Sequence, residues 1–282
     1  MATAELGRRV RRGSVGTLAY LALALWAGLS LYPFVWMLSG AFKNAREITS
    51  SASPIPRAPT LQTLRTTWSS LDFGTYLLNS VRITGISLLL ILLVFPLAAY
   101  AFAVLRFPLR RLLFGLFVAT VFVPSVTVLL PIVLLDDKLG ILGSQWGVVL
   151  PMVNGAGPLA ILIARAHFSA VPAELREAAT LDGASEARIF WQVYLPLARP
   201  ALVTIAVLNF VGIWNEYVLP SITLNDPGQA PLPVGLQTLL SNTVVNWNEV
   251  MAGALLVVLP VITVFVALQR FFVNGLVGSV KG

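Results

Sequence analysis

The polar side chains best placed for specific contacts lie in one stretch, residues 172–196, between two long apolar runs. Pro172 suits the first position of a helix, and Glu177 would follow in its early turns, near the positively polarised end. Gly183 predicts the end of this helix, because glycine readily adopts the left-handed conformation past a helix end. Ser185 can cap a second short helix. The stretch therefore predicts two short helices joined by a glycine elbow, with the Glu177 carboxylate available to a basic partner.

A second group of polar residues lies within the apolar runs themselves. Glu216 is the single charge in the run 200–224, and a charge inside an apolar span is costly and tends to face a cavity or a partner. Asn209 and Gly212 precede it at spacings that put all three residues on one helical face. Because Glu216 lies in the outer part of the run, a place at the membrane interface stays open as well.

Two aromatic residues, Trp214 and Tyr217, flank Glu216, and aromatic rings can stack on the apolar faces of a sugar. Each ring taken singly is better explained by the aromatic belt of a membrane surface. In the run 139–164, prolines and glycines around Asn154 would loosen the helix, and such breaks often line a pathway. A simple packing kink explains them equally well. The candidate pathway residues are Asn154, Asn209, Gly212, Trp214, Asn215, Glu216 and Tyr217.

These residues are carried by a chain whose composition indicates a membrane protein. Of its 282 residues, 57% are hydrophobic and only 11% are charged, whereas about a quarter are charged in soluble proteins. Apolar runs long enough to cross a bilayer predict an all-α polytopic membrane protein. No linker or repeat divides the chain, so we expect a single domain, 1–282. The six predicted spans are residues 15–38, 83–105, 112–135, 139–164, 200–224 and 250–269.

The basic residues predict the orientation of these spans. With six spans both termini lie on one side, and thirteen lysines and arginines fall on that side against six on the other. The positive-inside rule then places both termini and the polar loop 165–199 in the cytoplasm. This placement also explains the net charge of +7 without a nucleic-acid partner.

Several kinds of chemistry are excluded by what the sequence lacks. It has no cysteine and one histidine, His167, so disulfides, thiol chemistry and histidine-rich metal sites are not expected. We predict no catalytic residues, no metal site and no bound cofactor. None of the three lysines follows a glycine, so a phosphate-binding loop of the G-x-x-x-x-G-K-[ST] type is missing. Any ATP-driven process would need a separate ATPase.

The polar stretch carries a family resemblance. Glu177-Ala178-Ala179, then Gly183, then Val193-Tyr194-Leu195-Pro196, resembles the EAA signature of the membrane subunits of bacterial ABC importers. Val193 stands where isoleucine is usual. Two further stretches are similar to carbohydrate permeases: Trp214-Asn215-Glu216-Tyr217 resembles their WNE-F/Y segment, and Asn79-Ser80 opens the second span as their N-S pair often does. The likeness covers nearly the whole chain and is strongest to the maltose-type second permease.

This resemblance implies the type I ABC importer permease fold, with six transmembrane helices and a cytoplasmic two-helix coupling loop. In that family the EAA loop docks in a cleft of the ATPase, and the C-terminal tail reaches the ATPase dimer. The loop 225–249 corresponds to a segment that probes the solute-binding protein. The residues that the resemblance assigns to ATPase coupling are Glu177, Ala178, Ala179, Asp182, Gly183, Leu195, Pro196, Ser279, Lys281 and Gly282.

The resemblance also implies partners and a mechanism. The partners are an ABC ATPase dimer that uses ATP and Mg, a second related permease of six or more spans, and an extracytoplasmic solute-binding protein. The implied process is uptake of a sugar or oligosaccharide across the bacterial cytoplasmic membrane by alternating access. In the maltose system most sugar contacts come from the partner permease, so the identity of the solute and direct contact with it stay open.

Two other classes of protein compete with this interpretation. An ion-coupled secondary transporter or channel would need charges within the membrane, and Glu216 is the one candidate. A membrane enzyme would need a catalytic cluster, which the sequence does not show.

Overall fold

The computed structural model describes residues 2–70, 72–241 and 243–278, and every regular element in these ranges is helical. A π-helical turn, Phe190–Tyr194, and short 3-10 turns supplement the α-helices. The α-helices are α1 (Ala2–Ala41), α2 (Ala45–Ser50), α3 (Gln62–Ser70), α4 (Phe73–Ala103), α5 (Arg110–Ala119), α6 (Leu129–Lys138), α7 (Trp146–Ser169), α8 (Ala173–Leu181), α9 (Glu186–Ile189), α10 (Leu195–Leu197), α11 (Arg199–Trp214), α12 (Val218–Thr223), α13 (Leu232–Leu240) and α14 (Trp247–Gly278).

Four helices are long and apolar enough to cross a membrane, and each bent helix pair described below would raise that number by one, to six. These four helices coincide with the first, second, fourth and sixth predicted spans, with shifted ends. The prolines of the fourth do not interrupt it, because α7 runs without a break through Pro151 and Pro158. The four apolar stretches are Ala19–Ala41, Phe73–Ala103, Trp146–Ser169 and Trp247–Ala267.

The third predicted span, 112–135, is sharply bent in the structure. It consists of the segments Arg110–Phe122 and Ser125–Lys138, which meet at 100°. The break lies at Val123 and Pro124, both of which are extended. Proline disfavours the helical conformation of the residue before it, so the chain turns here.

The fifth predicted span, 200–224, is also divided. Helix α11 ends at Trp214, and α12 begins only at Val218. Glu216 therefore lies past the end of α11, and the prediction that it continues the helical face of Asn209 and Gly212 is wrong. Its carboxylate accepts a hydrogen bond from the Leu219 amide at 3.0 Å, and such local side-chain bonds compete with a continuous helix.

The chain forms two compact units. One contains the described residues up to Ser70 together with Leu239–Leu256, and the other contains those of 71–238 and 257–278. The expectation of a single domain stays a prediction.

The smaller unit is organised by polar groups that hold a loop against the end of α1. Lys43 is 1% exposed, donates to the Ser53 carbonyl and lies 4.7 Å from the centre of the Trp36 ring. The Glu47 carboxylate accepts a hydrogen bond from the Arg57 amide at 2.6 Å. The loop 51–60 is thereby fixed, and the short helix α3 follows it.

The core of the larger unit lies where α4, α7 and α11 pack together. Its buried residues include Phe95 of α4, Ile161 of α7 and Ile205 of α11. The helices α4 and α7 approach closely at Gly157, where a Cβ atom would lie 2.5 Å from the Phe95 ring. Glycine allows this approach because it has no side chain to displace. Many residues of the candidate site described next lie on these same helices.

Candidate functional site

The polar stretch folds as the predicted pair of short helices. Helix α8 ends at Leu181, and Gly183 has a φ of +78°, so the glycine elbow is confirmed. The Gly183 amide donates to the Thr180 carbonyl at 3.0 Å, and the Ala184 amide donates to the Ala179 carbonyl at 2.9 Å. These two bonds form a Schellman motif. Pro172 precedes the helix and is extended, rather than being its first residue.

The second helix begins as predicted, and it continues differently. Ser185 caps α9 by accepting a hydrogen bond from the Arg188 amide at 3.4 Å. The π-helical turn Phe190–Tyr194 then leads into α10, which contains Leu195 and Pro196. Leu195 packs against the core, whereas Pro196 is exposed. The segment Glu186–Leu197 meets α11 at 74°.

Helix α8 presents a mixed surface to its surroundings. Glu177, Ala178 and Asp182 are exposed, whereas Ala179 is half-buried and packs against the core. Leu181 is 89% exposed, and sequence reasoning did not single it out. Among the described residues, Glu177 and Asp182 form no ion pair. The apolar Leu181 together with these two carboxylates is a surface suited to a protein partner with a complementary basic group.

A polar network connects the polar stretch 172–196 to α4, and no local sequence pattern predicts it. The Tyr100 hydroxyl donates to Glu186 Oε2 at 2.7 Å, and Arg176 forms an ion pair with Glu186 Oε1. Burial alone would raise the pKa of the Glu186 carboxyl, and the hydrogen bonds from Tyr100 and Arg176 outweigh that effect and lower the pKa. The hydrogen bond to Glu186 in turn raises the pKa of Arg176.

Tyr100 itself lies in a cage of aromatic rings. It is 4% exposed. Its ring makes edge contacts with Phe168, Phe190 and Tyr194, at centroid distances of 6.1, 5.3 and 5.0 Å. The cage joins α4, α7 and the π-helical turn, so the second half of the polar loop is packed directly on the spans.

The predicted tail residues Ser279, Lys281 and Gly282 lie outside the described residues. Their assignment to ATPase coupling stays a prediction.

The candidate pathway residues do not form one constellation. Asn154 is exposed on α7, and Gly212 is exposed on α11, where an added Cβ atom would have open space around it. Asn209 donates to the Ile205 carbonyl at 2.8 Å, and Asn215 donates to the Val211 carbonyl at 2.8 Å, so both amides are used within their own helix. Tyr217 is 39% exposed.

Trp214 differs from the other members of this set because it belongs to the core. It is 3% exposed, it stacks on Phe210 at 5.5 Å, and its indole N–H donates to the Val257 carbonyl at 3.1 Å. We therefore assign Trp214 to the core rather than to the candidate solute pathway.

The pair Asn79-Ser80 has a defined structural role near the start of α4. The Asn79 amide donates to the carbonyls of Gly228 and Ala230, at 2.9 and 3.0 Å, and the Ser80 hydroxyl accepts from the Leu232 amide at 2.8 Å. Both side chains are 2% exposed. The segment 228–232 is therefore fixed to α4. Gln145 adds bonds to Asn79 and to the Gln229 carbonyl, at 2.9 and 3.2 Å.

Known proteins are similar to this chain in sequence and in fold. Residues 94–277 match the family described as binding-protein-dependent transport system inner membrane component. The chain is 33% identical over 279 residues to the galactooligosaccharides transport system permease protein GanQ of Bacillus subtilis (strain 168), covering 97% of this chain and 98% of that protein. It is 31% identical over 255 residues to the diacetylchitobiose uptake system permease protein NgcG of Streptomyces coelicolor, covering 90% and 84%.

A solved structure agrees with these sequence matches. It is that of a bacterial ABC transporter involved in the import of the acidic polysaccharide alginate. The superposition has a TM-score of 0.82 at 25% identity and covers 91% of this chain and 96% of that one.

Proposed function

The chain belongs to the family of inner membrane components of binding-protein-dependent transport systems, and from this membership we propose that it is the permease subunit of an ATP-driven importer for a sugar or oligosaccharide. The observation that carries the proposal is the exposed face of α8. It lies inside the matched range, presents Glu177 to a partner, and ends at the Gly183 elbow that the EAA signature requires. The relatives named for galactooligosaccharides and diacetylchitobiose support a carbohydrate as the solute.

The proposed assembly contains this permease, a second related permease, an ATPase dimer and an extracytoplasmic solute-binding protein. ATP hydrolysis, with its Mg, belongs to the ATPase subunits, and the permease itself binds no cofactor. The missing phosphate-binding loop supports this division of labour. Closure of the ATPase dimer would move α8, and the two permeases would rock to open the solute path outwards.

The proposed location is the bacterial cytoplasmic membrane, with both termini and the loop 165–199 on the cytoplasmic side. The unequal distribution of lysine and arginine supports this orientation. An ion-coupled mechanism through Glu216 is less well supported, since that carboxylate caps the start of α12.

The test reverses one charge on the exposed face of α8. Glu177→Lys places a cation opposite the basic ATPase surface proposed to bind the Glu177 carboxylate, so it replaces attraction by repulsion. We expect the variant to insert normally and to lose more than about tenfold in uptake and in the amount of ATPase that co-purifies, as is typical for a disrupted charge pair at an interface.

Glu174→Lys is the matched control, because it reverses an exposed charge in the first turn of the same helix. Affinity purification in mild detergent, with wild type and both variants in parallel, measures the outcome. An unchanged yield of ATPase with Glu177→Lys would exclude the docking role of this face.

A further inference from the structure

We propose that Tyr100 is a positioning residue that makes helix α4 move as one body with the docking loop, by which we mean residues 172–196. The inference rests on the proposed function, because it concerns how motion of the docked α8 reaches the spans. It adds a specific mechanical link, the hydrogen bond between Tyr100 and Glu186, to the general statement that the loop docks.

The link joins three elements through one carboxylate. Glu186, in the first turn of α9, receives Arg176 of α8 on Oε1 and Tyr100 of α4 on Oε2. The docking helix is therefore connected to a membrane span through two charge-assisted contacts in series. Such contacts are shorter and stronger than neutral hydrogen bonds, and their direction is fixed by geometry.

The aromatic cage gives this link its stiffness. Tyr100 is 4% exposed and is surrounded by Phe168, Phe190 and Tyr194, so its ring has little room to turn. Apolar packing alone is non-directional and permits sliding. The hydroxyl converts the packed contact between the loop and α4 into one with a defined position.

The cage also contains a built-in comparison. Tyr194 lies in the same cage and is 3% exposed, and its hydroxyl makes no hydrogen bond with the described residues. Removing the hydroxyl of Tyr194 therefore takes the same atom from the cage as removing that of Tyr100, and it leaves both the Tyr100–Glu186 hydrogen bond and the Arg176–Glu186 ion pair in place. A merely structural role for the cage predicts similar effects of the two changes.

The experiment measures one distance in the assembled complex. The chain has no cysteine, so Leu78→Cys on α4 and Arg188→Cys on α9 introduce two unique positions for spin labels, both at exposed residues. The complex with its co-purified ATPase is placed in lipid nanodiscs. The distance between the two labels is recorded by pulsed electron paramagnetic resonance, without nucleotide and with ATP and vanadate.

In wild type we expect the two labels to keep their separation when nucleotide binds, because loop and span move together. With Tyr100→Phe we expect the mean separation to change by a few Å, the scale of helix shifts in such transitions, and its distribution to widen about twofold. Tyr194→Phe should behave as wild type. The same yield of ATPase with all three proteins shows that docking is intact.

Glu186→Ala provides an independent second variant, since this side chain is half-exposed and its loss does not threaten the core. It removes the hydrogen bond to Tyr100 together with the Arg176 ion pair, so it should change the separation at least as much as Tyr100→Phe does. The double variant should be no worse than Glu186→Ala alone, because that change already removes the bond between Tyr100 and Glu186. If Tyr100→Phe or Glu186→Ala keeps the wild-type separation, the inference is overturned while the proposed function stands. If wild type brings no ATPase with it, the proposed function fails and the inference fails with it.

Discussion

Single residues determine the shape of the polar stretch 172–196, and Gly183 is the clearest case. Its φ of +78° lies in the left-handed region, where a Cβ atom costs roughly 1 kcal/mol. A Cβ atom added to Gly183 would have open space around it, so the requirement for glycine comes from the backbone conformation and not from crowding.

Gly183→Ala should therefore destabilise the turn between α8 and α9 by about 1 kcal/mol and reduce uptake. Gly183→Asn is the matched variant, since asparagine tolerates the left-handed conformation better than alanine does. Transport assays in cells, with membrane levels measured alongside, check the ranking glycine, then asparagine, then alanine. Equal activity of the alanine and wild-type proteins would contradict the backbone argument.

At this scale the sequence predicted the glycine elbow, the cap at Ser185 and the exposed Glu177, because each depends on a few adjacent residues. It did not predict the bond from Tyr100 to Glu186 or those from Asn79 to Gly228 and Ala230. These pairs are separated by 86 residues or more along the chain. A local pattern carries no signal for partners so distant.

At the scale of elements, the helices α4 and α7 form the centre of the larger unit. Their contact depends on Gly157, whose hydrogen faces the Phe95 ring where a Cβ atom would lie only 2.5 Å away. Two residues earlier on the same helix, Gly155 is exposed and has open space around it. The two glycines therefore separate close packing from helix propensity.

Gly157→Ala should lower the stability of the protein in detergent, because overpacking of this kind costs about 1–3 kcal/mol. Gly155→Ala should leave it equal or slightly raise it, since alanine favours the helix by up to about 1 kcal/mol. Thermal unfolding followed by size-exclusion chromatography measures both. A stabilised Gly157→Ala protein would show that the ring moves aside without cost.

Helix existence was predicted better than helix continuity. Apolar length alone indicated α1, α4, α7 and α14. The bend at Val123–Pro124 and the break after Trp214 reflect proline geometry and side-chain capping. A count of apolar residues cannot register either effect.

At the scale of the whole molecule, the orientation in the membrane follows from charge placement. The orientation predicts that Leu181 lies on the cytoplasmic side and that Asn225 lies on the outer side, and both residues are exposed.

Because the chain contains no cysteine, Leu181→Cys and Asn225→Cys can each be labelled without background. In intact cells a membrane-impermeant maleimide should modify the second variant and spare the first, which should react only after the membrane is opened and the ATPase is removed. Wild type serves as the control for unspecific labelling. Modification of Leu181→Cys in intact cells would contradict the proposed topology, and it would indicate a reversed one if Asn225→Cys were spared.

The hydrogen bonds of helix α4 also restrict how many residues the helix can contain. It is bonded near one end to the segment 228–232 through Asn79 and near the other end to the docking loop through Tyr100. The interval between these two residues spans about 32 Å at the usual rise per residue. Adding or removing one residue within it would turn one end against the other by about 100°. Asn79 and Tyr100 could then not both reach their partners. The hydrogen bonds near the two ends of this stretch therefore fix the number of residues between Asn79 and Tyr100.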